Sequence, residues 1–291
     1  MQRSHKLIWI FGLLLATSYA FASRTIQDEA GRTVRLPDRV TRVISLMPSV
    51  TDTIYALGAS AQLVGITDFS QYPPQAAKEK PSVGDILKPS LERIAALHPD
   101  LAIGVSTFNS PDTVRGLERV GIAVFLVNGR GIAGLYSSVT NIGRALGRDH
   151  EATALIQQMR AREQKVRAEA RTGKHPRVLL VVQLDPCITA GRGAFITELI
   201  EAAGATSVTD DLAQDWLRVN VESMMARKPD YIMLMKSAPL ELKDLRAKPG
   251  WSSMNAVKAG RVIRVDERLQ VPSPVAFDAL EELARQIKAT Q

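Results

Sequence analysis

The chain has 291 residues, of which 45% are hydrophobic and 23% are charged, and its formal net charge is +7. This composition excludes a disordered or fibrous protein and suits one or two globular cores. The single cysteine, Cys187, excludes an internal disulfide. Residues 160–177 carry much of the positive charge, but acidic residues alternate with the basic ones there, so we expect a solvated helix face and no nucleic-acid partner.

Residues 1–22 have the pattern of a cleaved secretory signal peptide, because Arg3 and Lys6 precede an apolar run that ends in Ala-Phe-Ala. The competing interpretation is a transmembrane anchor, which needs about 20 continuous apolar residues. Polar residues at positions 17–18 break the run, which favours cleavage. The sequence has no cysteine near the signal that could carry a lipid. We therefore expect a soluble periplasmic protein with a net charge of +5, since the signal removes two positive charges and no negative ones.

The first half, residues 23–147, alternates predicted strands and helices. The stretch ISLMPSVTDTIYALGA reads as a strand, a loop and a helix, with Ser49 and Asp52 spaced as a capping box. The stretch ERIAALHPDLAI, from Glu92, reads as a short helix that stops at His98 before a buried strand, because the residue before proline avoids the helical region. Another strand follows in VGIAVFLVN.

Residues 148–174 read as one long connecting helix, with Leu155, Ile156, Met159 and Val166 at helical spacing. At about 1.5 Å per residue, roughly 24 helical residues would extend about 36 Å, which is enough to join two lobes.

The second half, residues 175–291, repeats the order of the first. ITAGRGAFITELIEAAGA corresponds to the first strand-loop-helix unit, and ESMMARKPDYIM, from Glu222, repeats the Glu and Pro-Asp spacing with Lys228 in place of histidine. The predicted fold class is therefore α/β, with two Rossmann-like lobes, each a parallel sheet covered by helices, joined by a single long backbone helix. The alternative is one doubly wound domain with an ordinary long helix.

A cleft between two such lobes would lie beyond the carboxyl ends of the strands, where α/β sheets bind ligands. The predicted cleft loops carry Phe69, Tyr72, Phe108 and Trp216. Rigid aromatic faces suit a planar or ring-rich ligand. The alternative is structural: Tyr72 precedes two prolines that would stiffen a turn, and Trp216 could cover a core edge.

A resemblance to a known family is carried by four stretches: TDFSQYPPQA, LERIAALHPDLAI, ITAGRGAFITELIEAAGA and VNVESMMARKPDYI. Together they resemble the periplasmic binding proteins of cobalamin and iron-siderophore ABC importers, and the likeness is strongest for the cobalamin branch. The resemblance implies a monomeric binding protein, with no catalytic residues, metal site or cofactor, that delivers its ligand to an inner-membrane permease with its ATPase. It also implies that Glu92 and Glu222 dock on the permease. The alternative is that each glutamate only complements its helix dipole.

The resemblance also bears on the ligand. The resemblance suggests Tyr72, Trp216, Phe69, Asp266 and Ile86 as ligand-binding residues of a cobalamin-like corrinoid site. Ile86 stands where the cobalamin branch tends to have a tryptophan, which leaves a ferric siderophore or haem as the alternative. Three or more cleft arginines would favour the siderophore, and Tyr72 could serve as an axial ligand of haem.

An enzyme or a His-rich zinc or manganese receptor is disfavoured by the positions of the histidines. His98, His150 and His175 all fall outside the predicted cleft loops. Cys187 is expected to be a small residue at the cleft edge rather than a nucleophile.

Overall fold

The structure is a computed structural model that describes residues 23–290. The predicted signal peptide lies outside the described residues. None of the helices formed by residues 23–290 is both long and apolar enough to span a bilayer.

The first lobe is formed by alternating strands and helices. In chain order they are β1 (Ser23–Gln27), β2 (Thr33–Pro37), β3 (Val43–Ser45), α1 (Pro48–Ala56), β4 (Leu63–Gly65), α2 (Pro74–Glu79), α3 (Leu91–Ala96), β5 (Leu101–Val105), α4 (Pro111–Arg119), β6 (Ala123–Val127) and α5 (Gly131–Leu146). Strands β4-β3-β5-β6 form a parallel sheet in that order, and β1-β2 form a separate antiparallel hairpin.

The second lobe follows helix α6 (Asp149–Ala170). Its elements are β7 (Arg177–Val181), β8 (Gln183–Leu184), β9 (Cys187–Ala190), α7 (Phe195–Ala202), β10 (Thr206–Ser207), β11 (Trp216–Val219), α8 (Val221–Ala226), β12 (Tyr231–Met235), α9 (Leu242–Ala247), a 3-10 turn (Trp251–Ser253), α10 (Asn255–Lys258), β13 (Val262–Val265), a second 3-10 turn (Glu267–Gln270) and α11 (Ala276–Lys288). Strands β10-β7-β12-β13 form a parallel sheet, and β11-β9-β8 form an antiparallel one.

The two parallel sheets have the same topology. In the first lobe β3 lies between the short strand β4 and β5, and in the second lobe β7 lies between the short strand β10 and β12. Both β5 and β12 directly follow the repeated Pro-Asp phrase. The prediction of two lobes with helix-covered parallel sheets is confirmed. The three-stranded antiparallel sheet of the second lobe was not predicted, and it places Trp216 at the start of β11 rather than in a loop.

The aspartate of the repeated phrase has the same structural role in both lobes. The Asp100 carboxylate accepts a hydrogen bond from the backbone N–H of Arg42, and the Asp230 carboxylate accepts one from that of Arg177, at 2.9 and 2.8 Å. Both arginines directly precede or begin the first strand of their parallel sheet. Each Asp therefore fixes the entry of that strand.

The helix that precedes each aspartate also ends in the same way. His98 and Lys228 both have left-handed backbone conformations, with φ of 44° and 49°. The guanidinium groups of the same two arginines donate to the carbonyl oxygens of Leu97 and Arg227. These bonds satisfy carbonyl groups that a helix end leaves without a partner.

A continuous apolar core connects the two lobes. Helix α6 buries Ala152, Met159 and Val166, one residue for every two turns, and extends about 33 Å at 1.5 Å per residue. These side chains belong to one buried cluster with residues of both lobes. Arg162 on α6 also pairs with Asp278 and Glu281 on α11.

The predicted capping box at α1 is wrong. The helix begins at Pro48 with Met47 at its N-cap, and no side chain caps it. Asp52 is instead buried, and its carboxylate accepts a hydrogen bond from Ser273 of the second lobe. A contact between residues so distant in the chain cannot be read from local spacing.

Candidate functional site

A cavity of about 550 Å³ lies between the lobes. The first lobe contributes residues 47–50 at the start of α1, Ile86, and the loops that follow β5 and β6. The second lobe contributes residues 193–195, Asp215, Trp216 and residues 270–272. The cavity therefore lies at the carboxyl ends of the first lobe's strands, as expected for parallel α/β sheets.

The lining is mainly apolar, with a few hydroxyl and amide side chains among its aliphatic and aromatic ones. Phe108 and Trp216, one from each lobe, keep 48% and 43% of their surface exposed. Asn128 and Gln270 supply the side-chain amides. A ligand that covers these exposed rings removes apolar surface from water, and this stabilises the complex.

The loop that carries Phe108 is held by Asn109, which is buried. The Asn109 side-chain carbonyl accepts from the backbone N–H of Val105 at 2.8 Å, and its amide donates to the carbonyl oxygen of Ile86 at 3.3 Å. A Cβ atom at Gly104 would lie 2.3 Å from that side-chain oxygen. Gly104 thus leaves the space in which Asn109 joins the two cavity loops.

The charges of the lining form one ion pair. Arg130 and Asp215 are the charged residues among the described residues that line the cavity, and their Nη2 and Oδ1 atoms lie 2.8 Å apart. Arg192, Arg218 and Arg268, which also lie in or near predicted cleft loops, are outside the lining. Arg192 donates to the backbone carbonyl of Asp210, and Arg268 pairs with Asp266. Three arginines therefore do not converge in this cavity.

The residues predicted to bind the ligand fall into two groups. Ile86 and Trp216 line the cavity. Phe69, Tyr72 and Asp266 are outside the lining, although Phe69 is more than half exposed.

Tyr72 and Asp266 are brought together by Arg268. The Arg268 guanidinium lies 5.7 Å from the centre of the Tyr72 ring and donates two hydrogen bonds to the Asp266 carboxylate, at 2.8 and 2.7 Å. These hydrogen bonds hold the pKa of Asp266 below its usual value. The three side chains link a loop of the first lobe to the second lobe.

Glu92 and Glu222 occupy equivalent exposed positions in the first turns of α3 and α8. Ser90 and Asn220 cap these helices by accepting from the backbone N–H of Arg93 and Ser223. Neither glutamate side chain has a hydrogen bond or ion pair to another residue of the described chain, so both carboxylates face solvent.

The residues considered for catalysis or metal binding are not part of the cavity. Cys187 is buried in the core of the second lobe, not at a cleft edge, and burial raises the pKa of its thiol to about 11. His98, His150 and His175 do not line the cavity. Within residues 23–290, no group of three or more His, Cys, Asp or Glu residues is arranged to hold a metal ion.

Comparison with known proteins identifies the family. The profile described as periplasmic binding protein matches residues 43–269. The chain belongs to this family. A periplasmic binding protein of an ABC importer captures a substrate rather than transforming it, so the predictions of family and of a non-enzymatic role are confirmed, and no catalytic cofactor is required.

Three similar proteins illustrate the range of this periplasmic binding protein family. An uncharacterized ABC transporter substrate-binding lipoprotein, YvrC, from Bacillus subtilis is 31% identical, over 90% of this chain and 85% of its own length. The vitamin B12-binding protein of Vibrio cholerae is 24% identical, over 86% and 90%. The structure of the periplasmic heme-binding protein RhuT from Roseiflexus has a TM-score of 0.79 and 25% identity, and covers 87% of this chain and all of its own.

Sequence reasoning did not single out Asp215, Asn128 or Gln270 as lining residues. Asp215 directly precedes Trp216, and Gln270 follows Asp266 by four residues, so both lie beside residues that were predicted to border the cleft. Their orientation toward the cavity depends on how the two lobes pack.

Proposed function

We propose that this periplasmic binding protein captures a cobalamin-like corrinoid between its lobes and delivers it to an inner-membrane ABC permease. The observation that carries the proposal is the pair of exposed rings, Phe108 and Trp216, one from each lobe, on an apolar cavity with no net charge. Such a site fits a flat macrocycle that presents apolar faces and uncharged polar substituents.

The amide groups of the lining fit the periphery of a corrin ring. A corrin carries carboxamide side chains, which both donate and accept hydrogen bonds, as do the side chains of Asn128 and Gln270. An anionic siderophore complex would leave more negative charge than one paired arginine can neutralise. The absence of three converging arginines from the described lining therefore favours the corrinoid over the siderophore.

Haem is the second candidate, because the similar structure from Roseiflexus is a heme-binding protein. The described lining contains no tyrosine, histidine or cysteine, and its methionine, Met47, is buried with 7% of its surface exposed. Tyr72, the axial ligand considered from the sequence, packs against Arg268 instead. An iron ligand from the cavity wall is therefore less well supported than stacking on the two rings.

Phe69, Tyr72 and Asp266 lie outside the cavity lining, and we propose that they contact the ligand at the mouth of the cavity. A complete cobalamin is larger than a 550 Å³ cavity, so we expect part of it to project between the lobes. Phe69 is exposed, and its neighbour Ser70 is hydrogen-bonded to Thr51 of α1, the helix that lines the cavity. Arg268, which contacts Tyr72 and Asp266, lies two residues before the lining residue Gln270. Ile86 and Trp216 would contact the enclosed part.

Glu92 and Glu222 are proposed to dock on the permease, one from each lobe. Their support is their equivalent positions, their exposure and their lack of a partner in the described chain. A carboxylate in this state can accept two parallel hydrogen bonds from an arginine of a partner protein, which gives both orientation and attraction. The capped helices hold the two carboxylates without occupying their oxygen atoms.

The decisive experiment is titration of the purified mature protein with cyanocobalamin, haem and a ferric siderophore, followed by calorimetry and tryptophan fluorescence. Trp216 is exposed and lines the cavity, whereas Trp251 is buried. We expect cyanocobalamin to bind and to quench the wild type, and the Trp216→Phe variant to lose the fluorescence change. Tight binding of a ferric siderophore or haem without any response to cyanocobalamin would refute the corrinoid proposal.

A further inference from the structure

Two electropositive features of the first lobe meet at the cavity, and each faces a carboxylate of the second lobe. The first is the guanidinium of Arg130, whose Nη2 lies 2.8 Å from Asp215 Oδ1. The second is the amino end of α5, where the backbone N–H of Ile132 donates to Glu198 at 2.8 Å. A helix amino end carries partial positive charge, so both features would otherwise attract anions.

Glycines leave the space that both carboxylates occupy. A Cβ atom at Gly193 would lie 2.0 Å from Asp215 Oδ1 and 2.8 Å from Arg130 Nη2. A Cβ atom at Gly131 would lie 2.3 Å from Glu198 Oε1. Because both contacts need backbone without a side chain, the fold itself positions the two carboxylates beside the positive groups.

The Arg130–Asp215 pair affects ligand choice more than stability. The side chains keep 63% and 50% of their surface exposed, and ion pairs in water contribute little to folding. An incoming anion, however, would find the guanidinium already neutralised and would be repelled by Asp215. An uncharged carboxamide meets no such penalty, since its oxygen can accept from Arg130 while its N–H donates to Asp215.

We propose that Asp215 is a specificity-determining residue that makes the cavity select electroneutral ligands over anionic chelates. This inference rests on the proposed function, which it deepens by naming the charge class of the ligand. The carboxylate acts by cancelling Arg130, the cation of the described lining, and not by binding the ligand's metal.

The test compares Asp215→Asn with Asp211→Asn. Asp211 is exposed, pairs with Arg227 and is outside the cavity lining, so its variant changes the net charge equally. The probes are cyanocobalamin, a purified cobalamin monocarboxylate in which one carboxamide is hydrolysed, and haem, each titrated by calorimetry at low and high salt. We expect Asp215→Asn to bind the anionic probes roughly tenfold more tightly than wild type at low salt, and less so at high salt.

Affinity for cyanocobalamin should change little in either variant, and Asp211→Asn should resemble wild type with every probe. Arg130→Gln should show the opposite effect, with weaker anion binding, because Asp215 then has no partner. Thermal unfolding confirms that each variant is folded. The inference is overturned if neither anionic probe gains affinity in Asp215→Asn, if Asp211→Asn gains as much, or if the wild type binds the cobalamin monocarboxylate more tightly than cyanocobalamin. Failure of the wild type to bind cyanocobalamin would instead refute the proposed function, and the haem comparison would still decide the role of Asp215.

Discussion

The Ser273 hydroxyl donates a hydrogen bond of 2.8 Å to the Asp52 carboxylate, although the two residues are 221 positions apart. Asp52 belongs to α1 of the first lobe, and Ser273 directly follows the cavity residues 270–272 of the second. Asp52 is 4% exposed, and its other carboxylate oxygen is buried without a hydrogen-bond partner. The bond therefore joins the two lobes beside the cavity through a poorly solvated acid.

The buried acid predicts an unusual dependence of stability on pH. Burial raises the pKa of Asp52 from 3.8 to about 7, against the opposing effects of the Ser273 hydrogen bond and the Arg268 charge. The folded chain thus keeps a proton that the unfolded chain loses near its ordinary pKa. The contribution of Asp52 to the free energy of unfolding should fall as pH rises through this interval and be lowest above about pH 7, with a total change of at most about 4 kcal/mol.

Asp52→Asn tests this pH dependence of stability, because the asparagine amide stays uncharged at every pH. We expect the variant to be more stable than wild type at pH 8 and to lose most of the slope between pH 4.5 and 7.5, as measured by urea denaturation. Ser273→Ala, in a chain that keeps Asp52, is the companion variant. It removes a hydrogen-bond donor that favours the ionised acid, so the fall in stability with rising pH should extend to higher pH than in wild type. An unchanged slope in Asp52→Asn would contradict the assignment.

Removal of both proposed docking residues should separate transport from binding. We expect Glu92→Ala/Glu222→Ala to reduce ligand uptake by cells at least about tenfold, because two charge-assisted contacts with the permease are lost. Ligand affinity should remain at the wild-type value, and each substitution should cost only about 0.3–1 kcal/mol of stability through the helix dipole. Glu169→Ala, an exposed glutamate on α6, is the control. Normal uptake by the double variant, or a loss of ligand binding, would argue against docking.

The aspartates of the repeated phrase should differ in their contribution to stability. The Asp100 carboxylate accepts from the N–H and hydroxyl of Thr41 and from the N–H of Arg42, whereas the Asp230 carboxylate accepts from the N–H of Arg177. At about 0.5–1.5 kcal/mol per hydrogen bond, Asp100→Ala should lower the free energy of unfolding by more than Asp230→Ala. Urea denaturation of both variants measures the difference, and equal losses would show that the extra bonds contribute nothing net.

Gly104→Ala should disturb the Phe108 loop without altering a residue of the cavity. The added methyl group would lie 2.3 Å from the Asn109 oxygen that holds the loop. We expect a loss of about 1–3 kcal/mol in stability and a weaker ligand affinity. The double variant Gly104→Ala/Asn109→Ala removes the clashing oxygen, so its stability should exceed that expected from adding the two single losses. Simple additivity would indicate that the two positions do not interact.

The sequence by itself determined the architecture and the repeated local structures. Alternating strands and helices in the same order twice predicted the two sheets, because periodicity and proline act within a few residues. The ends of α3 and α8 just before His98 and Lys228 follow from the same short-range rule, whereas the left-handed conformation of these two residues was not predicted. Trp216 was predicted to be near the cleft because strand ends and their loops can be identified from the chain order, whereas Ile86 was suggested by the family resemblance.

Only the tertiary structure decided how the two lobes meet. The pairs Asp52–Ser273 and Arg130–Asp215 each join residues of different lobes, and their spacing in the sequence carries no local signal. The same limit explains why Asp52 was assigned to a helix cap and why Tyr72 and Asp266 were not placed against Arg268. Contacts across a cleft depend on the packing of α5, α6, α7 and α11 in one shared core, and that packing is fixed only when the whole chain has folded.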